Sequence, residues 1–256
     1  MASAPSAWPA IPEEDLPELM ALIEDADSVE LKLTVPEPDQ RPTFESLHID
    51  PLEAQVRLVH FYDTPDLQLD RAGVVVRARR VQRKGDDSVV KLRPVEPDHL
   101  PRKVRRSENF GVEVDAMPGG FVCSGTMKRA LPAGAVQEVA AGERALRKLF
   151  TKEQRRFYVD HAPAGIGLDD LVLLGPIFVL KLKFSPQRLR RRMVAELWLY
   201  PDSSRVLELS TKCAPGEAFQ VAAQTRALLA DAGVSLTGKQ QTKTSKALRY
   251  FAGALG

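Results

Sequence analysis

The sequence predicts an α+β fold, and three observations predict it. Strand texture comes in two runs, over 28–115 and 177–212, with helical text between and after them. Within both runs charged residues recur on alternate positions, the period of a strand with two unlike faces. Residues 217–232 (EAFQVAAQTRALLADA) spell an amphipathic helix, stopped by Gly233. The chain has 256 residues, 44% of them hydrophobic and 27% charged. That composition excludes a mainly disordered, collagen-like or coiled-coil chain, and the length is enough to bury a sizeable core.

In order, residues 1–27 read as a loose tail with a short helix over Glu13 to Glu24. A strand starts at Ser28 and is interrupted by Pro36, Pro38 and Pro42. Residues 55–63 (QVRLVHFYD) form a strand that ends at the turn signal Thr64-Pro65-Asp66. Residues 73–82 and 87–94 are two strands joined through Arg83-Lys84-Gly85-Asp86 as a hairpin. A further strand is expected over 104–115. Residues 136–150 have helical spacing, with Val136, Val139, Leu146, Leu149 and Phe150 on one face, and 151–160 read as a second helix. Strands return at 177–184, 192–200 and 204–212, and a short basic helix runs from Thr244 to Phe251.

The net charge of +2 gives no global reason to expect nucleic acid. The basic runs Arg102-Lys103-x-Arg105-Arg106 and Arg188-x-Arg190-Arg191-Arg192 carry no interleaved aromatic residues and read as solvated surface. Two distant cysteines, Cys123 and Cys213, make neither a disulfide framework nor a zinc cluster, so a reducing compartment is expected. Cys123 falls in Gly/Ser text that reads as a loop. The most apolar stretch, Leu171 to Leu180, is about half the ~20 residues a bilayer needs, and the N-terminus has no signal-peptide pattern. A cytoplasmic protein with no membrane partner is expected.

The parity of the charges is the informative feature. Ser28, Glu30, Lys32 and Thr34 share one face, opposite Val29, Leu31, Leu33 and Val35. Arg77 and Arg79 lie opposite Val74, Val76 and Ala78; Lys91 and Arg93 lie opposite Val90 and Leu92. Lys181 and Lys183, Arg192 and Glu196, and Glu208 and Lys212 repeat the pattern later. A half-buried antiparallel sheet with its charges in water would read this way. So would a barrel with its charges inside, where a polyanion would pair with the basic wall and a divalent cation with the carboxylates. Composition does not choose between them.

A resemblance does. Ser28-Val29-Glu30-Leu31-Lys32 resembles the ExExK signature of the CYTH domain, the triphosphate tunnel metalloenzyme family. Phe61-Tyr62-Asp63-Thr64-Pro65-Asp66-Leu67, followed by Leu69, Arg71, Ala72, Gly73 and Arg77-x-Arg79, is similar to the family's YFDTPDxxLxxxGxxLRxR block. Lys91 fits a strand lysine, Arg106-x-Glu108 an R-x-E element, and Lys181-x-Lys183 a K-x-R. Glu196 and Glu208 fit a late acidic position and the first Glu of an E-x-E pair, and Ser245-Lys246 a C-terminal Ser-Lys. The matches run in family order from 28 to 246; segment 116–175 has none.

The resemblance implies a closed antiparallel β-barrel of about eight strands, a tunnel, with helices packed outside and at the ends. Residues 28–256 would form that domain. It implies a metal-dependent hydrolase of inorganic or organic triphosphates that needs Mg²⁺ or Mn²⁺ and uses water attack on the terminal phosphoryl group. Lys32, Arg77, Arg79, Lys91, Arg93, Lys183 and Lys246 would hold the triphosphate or polyphosphate; Glu30, Glu196 and Glu208 would hold metal. Lys91 and Glu108 are candidates to orient or deprotonate the water.

Four positions depart from the family pattern. Lys183 replaces the usual Arg, losing its fork geometry. Ser28 and Ser210 stand where carboxylates are usual, and Phe110 takes the acidic position after Arg106-x-Glu108. Mg²⁺ is commonly held by one or two carboxylates plus phosphate oxygens and water, so the losses weaken the metal site without removing it. The expected alternatives are a non-catalytic polyphosphate or nucleotide binding module and, less supported, a class IV-type adenylyl cyclase. Gly233 to Gln240 nearly spells a P-loop, but Gln240 replaces the Mg²⁺-binding Ser/Thr and a helix precedes it where a strand should. The four histidines have no metal spacing, and His60 sits on the apolar parity of its strand.

Overall fold

The computed structural model describes residues 13–234 and 243–254. Nine strands form the frame: β1 Ser28–Val35, β2 Gln55–Asp63, β3 Val74–Val81, β4 Asp86–Leu92, β5 Phe110–Met117, β6 Gly120–Leu131, β7 Val172–Phe184, β8 Met193–Leu199 and β9 Arg205–Cys213. The helices are α1 Leu16–Glu24, α2 Gln40–Ser46, α3 Gln68–Arg71, α4 Arg102–Arg105, α5 Ala135–Ala140, α6 Lys152–Val159, α7 Ala218–Asp231 and α8 Lys243–Gly253. The strands close into a barrel in the order β1-β5-β6-β4-β3-β2-β7-β8-β9. The expected closed barrel of about eight strands is present with nine, and its sheet is mixed, since β1 runs parallel to β5. No described helix is long and apolar enough to cross a membrane.

The chain divides into two compact units, neither of them continuous in sequence. The first holds the described residues of Met1–Gln55, Glu113–Cys123 and Leu180–Gln241. In it β1 alternates strictly, with Val29, Leu31, Leu33 and Val35 buried and Ser28, Glu30, Lys32 and Thr34 half-buried. Leu33 and Val35 join Leu182, Met193, Ala195, Leu207 and Leu209 in one apolar cluster. Phe44 of α2 and Leu229 of α7 close that cluster from outside. The helices thus cover the apolar face of the strands, which in a closed barrel leaves the charged face inward.

The second unit holds the described residues of Val56–Val112, Ser124–Val179 and Thr242–Gly256. Val74, Val76 and Ala78 of β3 are buried, alternating with Arg77 and Arg79. The same face of β4 is covered by helical segments. Ser88 Oγ donates to the Leu149 carbonyl (2.7 Å), and the Val136 N–H of α5 donates to Asp86 Oδ2 (3.0 Å). Thr151 and Gln154 form a capping box that starts α6. The Gln154 side-chain amide donates to the Ser88 and Met127 carbonyls at 3.3 and 3.2 Å, tying α6 to β4 and β6.

Several element boundaries differ from the sequence expectation for local reasons. The strand expected over 104–115 begins at Phe110, because the basic run before it forms α4. The helix expected over 136–150 breaks after α5, where Gly142 takes φ +77°, and resumes as a 3₁₀ turn at Leu146–Leu149. Residues 120–131 are a strand and not a loop, so Cys123 is buried. Gly125 explains that strand's low apparent propensity: a Cβ there would lie 2.8 Å from the Phe110 ring.

Candidate functional site

Three neighbouring strands of the first unit, β9, β1 and β5, bring charges together by register. Glu30 is paired with Lys212 on β9 and with Asp115 on β5. Ser28 is paired with Glu113, and Lys32 with Ser210. Lys32 Nζ lies 3.1 Å from Glu30 Oε2 and 2.7 Å from Asp115 Oδ1, and the Asp115 side chain is wholly buried. Lys212 Nζ forms an ion pair with Glu113. Burial pulls the Lys32 ammonium down, but Asp115, Glu30, Glu208 and Glu113 outweigh it, leaving its pKa well above the ordinary lysine value. One ligand oxygen from each of Glu30, Glu113 and Asp115 lies within 4.8 Å of the others. Three hard oxygen donors gathered in this way could hold a metal ion.

A second acidic pair lies on β8 and β9, where Glu196 and Glu208 are cross-strand partners. Like charges directly opposite cost stability unless a cation joins them. Lys181 supplies one, its Nζ 3.0 Å from Glu196 Oε1, and Trp198 Nε1 lies 3.5 Å from Glu196 Oε2. Glu208 and Ser210 are both buried. Lys183 is exposed near the end of β7.

The second unit carries most of the expected phosphate-binding residues. Arg77 and Arg79 of β3 and Lys91 of β4 share the face opposite the covering helices. Arg79 is held by its cross-strand partner Asp87 in a two-pronged contact, Nε to Oδ1 2.9 Å and Nη2 to Oδ2 2.8 Å. Arg93 follows β4, and its backbone N–H donates to the Gly73 carbonyl at 2.8 Å. That close approach needs glycine. Gly73 has φ +71°, and a Cβ there would meet the Arg93 carbonyl oxygen at 2.8 Å. Lys246 lies half-buried on α8. Glu108 is exposed in the turn before β5, and Arg106 caps α4, so Arg106-x-Glu108 does not share a strand face.

The carboxylates beside Lys32 on β5 are therefore Glu113 and Asp115, which the sequence reading passed over. Their signal was the alternation Val112-Glu113-Val114-Asp115, with both valines buried. They also revise the cost of Ser28: the strand next to it supplies two carboxylates.

The Phe61–Leu67 block, the longest motif match, is a folding device. Buried Asp63 accepts the backbone N–H groups of Thr64 (2.7 Å), Leu69 (2.8 Å) and Asp70 (3.0 Å). Thr64 Oγ1 donates to Asp66 Oδ1 at 2.7 Å and accepts the Gln68 N–H at 2.9 Å. Arg71 closes the turn with ion pairing to Asp66 at 2.7 Å. This turn sets where β3, and hence Arg77 and Arg79, begins. His60 is buried on the covered face, as its parity predicts. Gly233 ends α7 with φ +70°; most of the P-loop-like text after it lies outside the described residues.

No family profile matches the chain, and no curated protein matches it. Solved structures do. One is an adenylyl cyclase candidate from Hippeastrum described as having a dominant triphosphatase activity. It is 17% identical, with a TM-score of 0.63, over 86% of this chain and 94% of that one. Another is an adenylate cyclase candidate from Bacillus halodurans, 12% identical, with a TM-score of 0.61, over 86% and 97% of the two chains. At these identities the likeness is one of fold alone: the chain shares a closed-barrel fold with these structures, consistent with the fold that the resemblance to the CYTH domain implies.

Proposed function

We propose that the chain binds a triphosphate or short polyphosphate on its inward charged face and hydrolyses it with a divalent metal ion, Mg²⁺ or Mn²⁺. The observation that carries this reading is the convergence of Glu30, Glu113 and Asp115 around Lys32. Phosphoryl transfer is mostly positioning and charge neutralisation, so a site made of cations and carboxylates suits it. Glu30, Glu113 and Asp115 would hold the ion, with Glu196 and Glu208 as a second acidic pair. When bound, the ion would neutralise phosphate oxygens and lower the pKa of water. In the first unit Lys32 and Lys183, and in the second Arg77, Arg79, Lys91, Arg93 and Lys246, would bind phosphate; the arginine forks grip two oxygens at once where lysine supplies a point charge. Lys91 is the candidate to orient the attacking water. We assign no role to Glu108.

A second reading, a non-catalytic polyphosphate-binding module, is favoured by the lysine already seated on each of the three carboxylates. One experiment separates the readings. Phosphate release from tripolyphosphate and nucleoside triphosphates is measured with Mg²⁺ and Mn²⁺, beside calorimetric binding of the same compounds. Metal-dependent release is expected. Binding without release would favour the module, and no binding of any polyphosphate would sink both.

A further inference from the structure

We infer that Lys212 is a built-in counter-ion that competes with the divalent ion for Glu113, so that it sets how tightly the acidic group on β1 and β5 takes metal. The inference rests on the metal reading above and concerns a residue to which the resemblance gives no role.

Lys212 lies on the inward face of β9, directly paired with Glu30 on β1. Its ammonium reaches diagonally to Glu113, whose own partner on β1 is Ser28. A carboxylate at 28 would stand beside Glu113; the short serine leaves Glu113 to the lysine. Burial lowers the Lys212 pKa, but Glu113 and Glu30 outweigh it and raise it, so the charge is firmly kept at neutral pH. The end of β9 is anchored where Lys212 sits. Arg191 donates to the Lys212 carbonyl at 3.3 Å and pairs with Glu217 at 2.8 Å, and the Thr211 hydroxyl donates to the Arg192 carbonyl at 3.0 Å. The three carboxylates thus face two ammonium groups, Lys32 and Lys212, leaving one net negative charge. A divalent ion taking Glu113 competes with Lys212 for the carboxylate's charge. Half of the Lys212 side chain is exposed, so the ammonium can swing to solvent or to a phosphate oxygen.

The test is Mn²⁺ binding to the full chain without substrate, read by electron paramagnetic resonance, for wild type, Lys212→Gln, Lys212→Arg and Glu113→Gln. Lys212→Gln should bind Mn²⁺ about tenfold more tightly than wild type, Lys212→Arg should match wild type, and Glu113→Gln should bind more weakly. In the Glu113→Gln background, Lys212→Gln should gain much less. Should Lys212→Gln fail to fold, Lys212→Met, which keeps most of the apolar stem, carries the same expectation. Wild-type Mn²⁺ binding that neutralising Lys212 leaves unchanged or weakens would overturn the inference while leaving the metal reading intact. No Mn²⁺ binding to any variant would overturn both.

Discussion

Lys32 Nζ sits 2.7 Å from Asp115 Oδ1, and the aspartate has no exposed surface. A buried carboxylate without its cation is costly, so Lys32→Met should destabilise the fold by about 3–5 kcal/mol in urea unfolding. Lys32→Met with Asp115→Asn should recover part of that loss. A single-mutant loss below about 1 kcal/mol would show that water reaches Asp115. The Lys32 pKa is raised in the folded state, so its stabilisation is complete below the unfolded lysine value and is lost only as pH climbs through the raised one. Neutral and mildly alkaline buffers should leave it intact.

Ser28 and Ser210 hold positions beside Glu113 and Lys32. If the natural chain is a weakened hydrolase, Ser28→Glu with Ser210→Glu should raise metal-dependent phosphate release by about tenfold, a gain of about 1.4 kcal/mol in transition-state stabilisation. An unchanged rate despite tighter metal binding would count against that account.

Gly73→Ala should destabilise by about 1–3 kcal/mol, from the left-handed backbone and the clash with the Arg93 carbonyl. If Arg93 holds phosphate, the same change should weaken tripolyphosphate binding in calorimetry. Gly134→Ala is the control: it has φ +90° but open space around it, so it should cost stability without weakening binding.

His60 supplies a pH signature. Burial, reinforced by Arg80, lowers its pKa from 6.5 to about 4. Between those values the unfolded chain binds a proton that the folded one refuses, so stability is full above 6.5 and falls as pH drops toward 4. The shift corresponds to roughly 3 kcal/mol. His60→Gln should remove most of that slope in unfolding curves taken across this range.

Much of this was legible in the residues. The alternation of Val29-Glu30-Leu31-Lys32-Leu33 fixes both faces of β1, and the Asp63-to-Gly73 block fixes a turn whose hydrogen bonds are almost all local. What was not legible depended on distant partners. Gly125 and Ser124 weaken the strand signal of β6, and only the Phe110 ring packed on Gly125 shows why a small residue belongs there. The basic run before β5 reads as part of that strand, which puts its start at 104 and draws the eye to Glu108 and away from Glu113 and Asp115. Nothing in the local pattern of β1 says that β5 lies beside it in parallel, since pairing direction belongs to the chain path and not to side-chain period.

That path has a consequence during synthesis. Val29 on β1 waits for Cys213 on β9, its partner across more than half the chain. At ribosomal speeds of about 5–20 residues per second, the edge of β1 stays open for roughly 10–40 s before β9 emerges. Glu30 and Lys32, spaced along that nascent edge, are charges of the kind that discourage a strand from pairing with a neighbouring polypeptide. The same residues would then guard the newborn chain before they line the finished barrel.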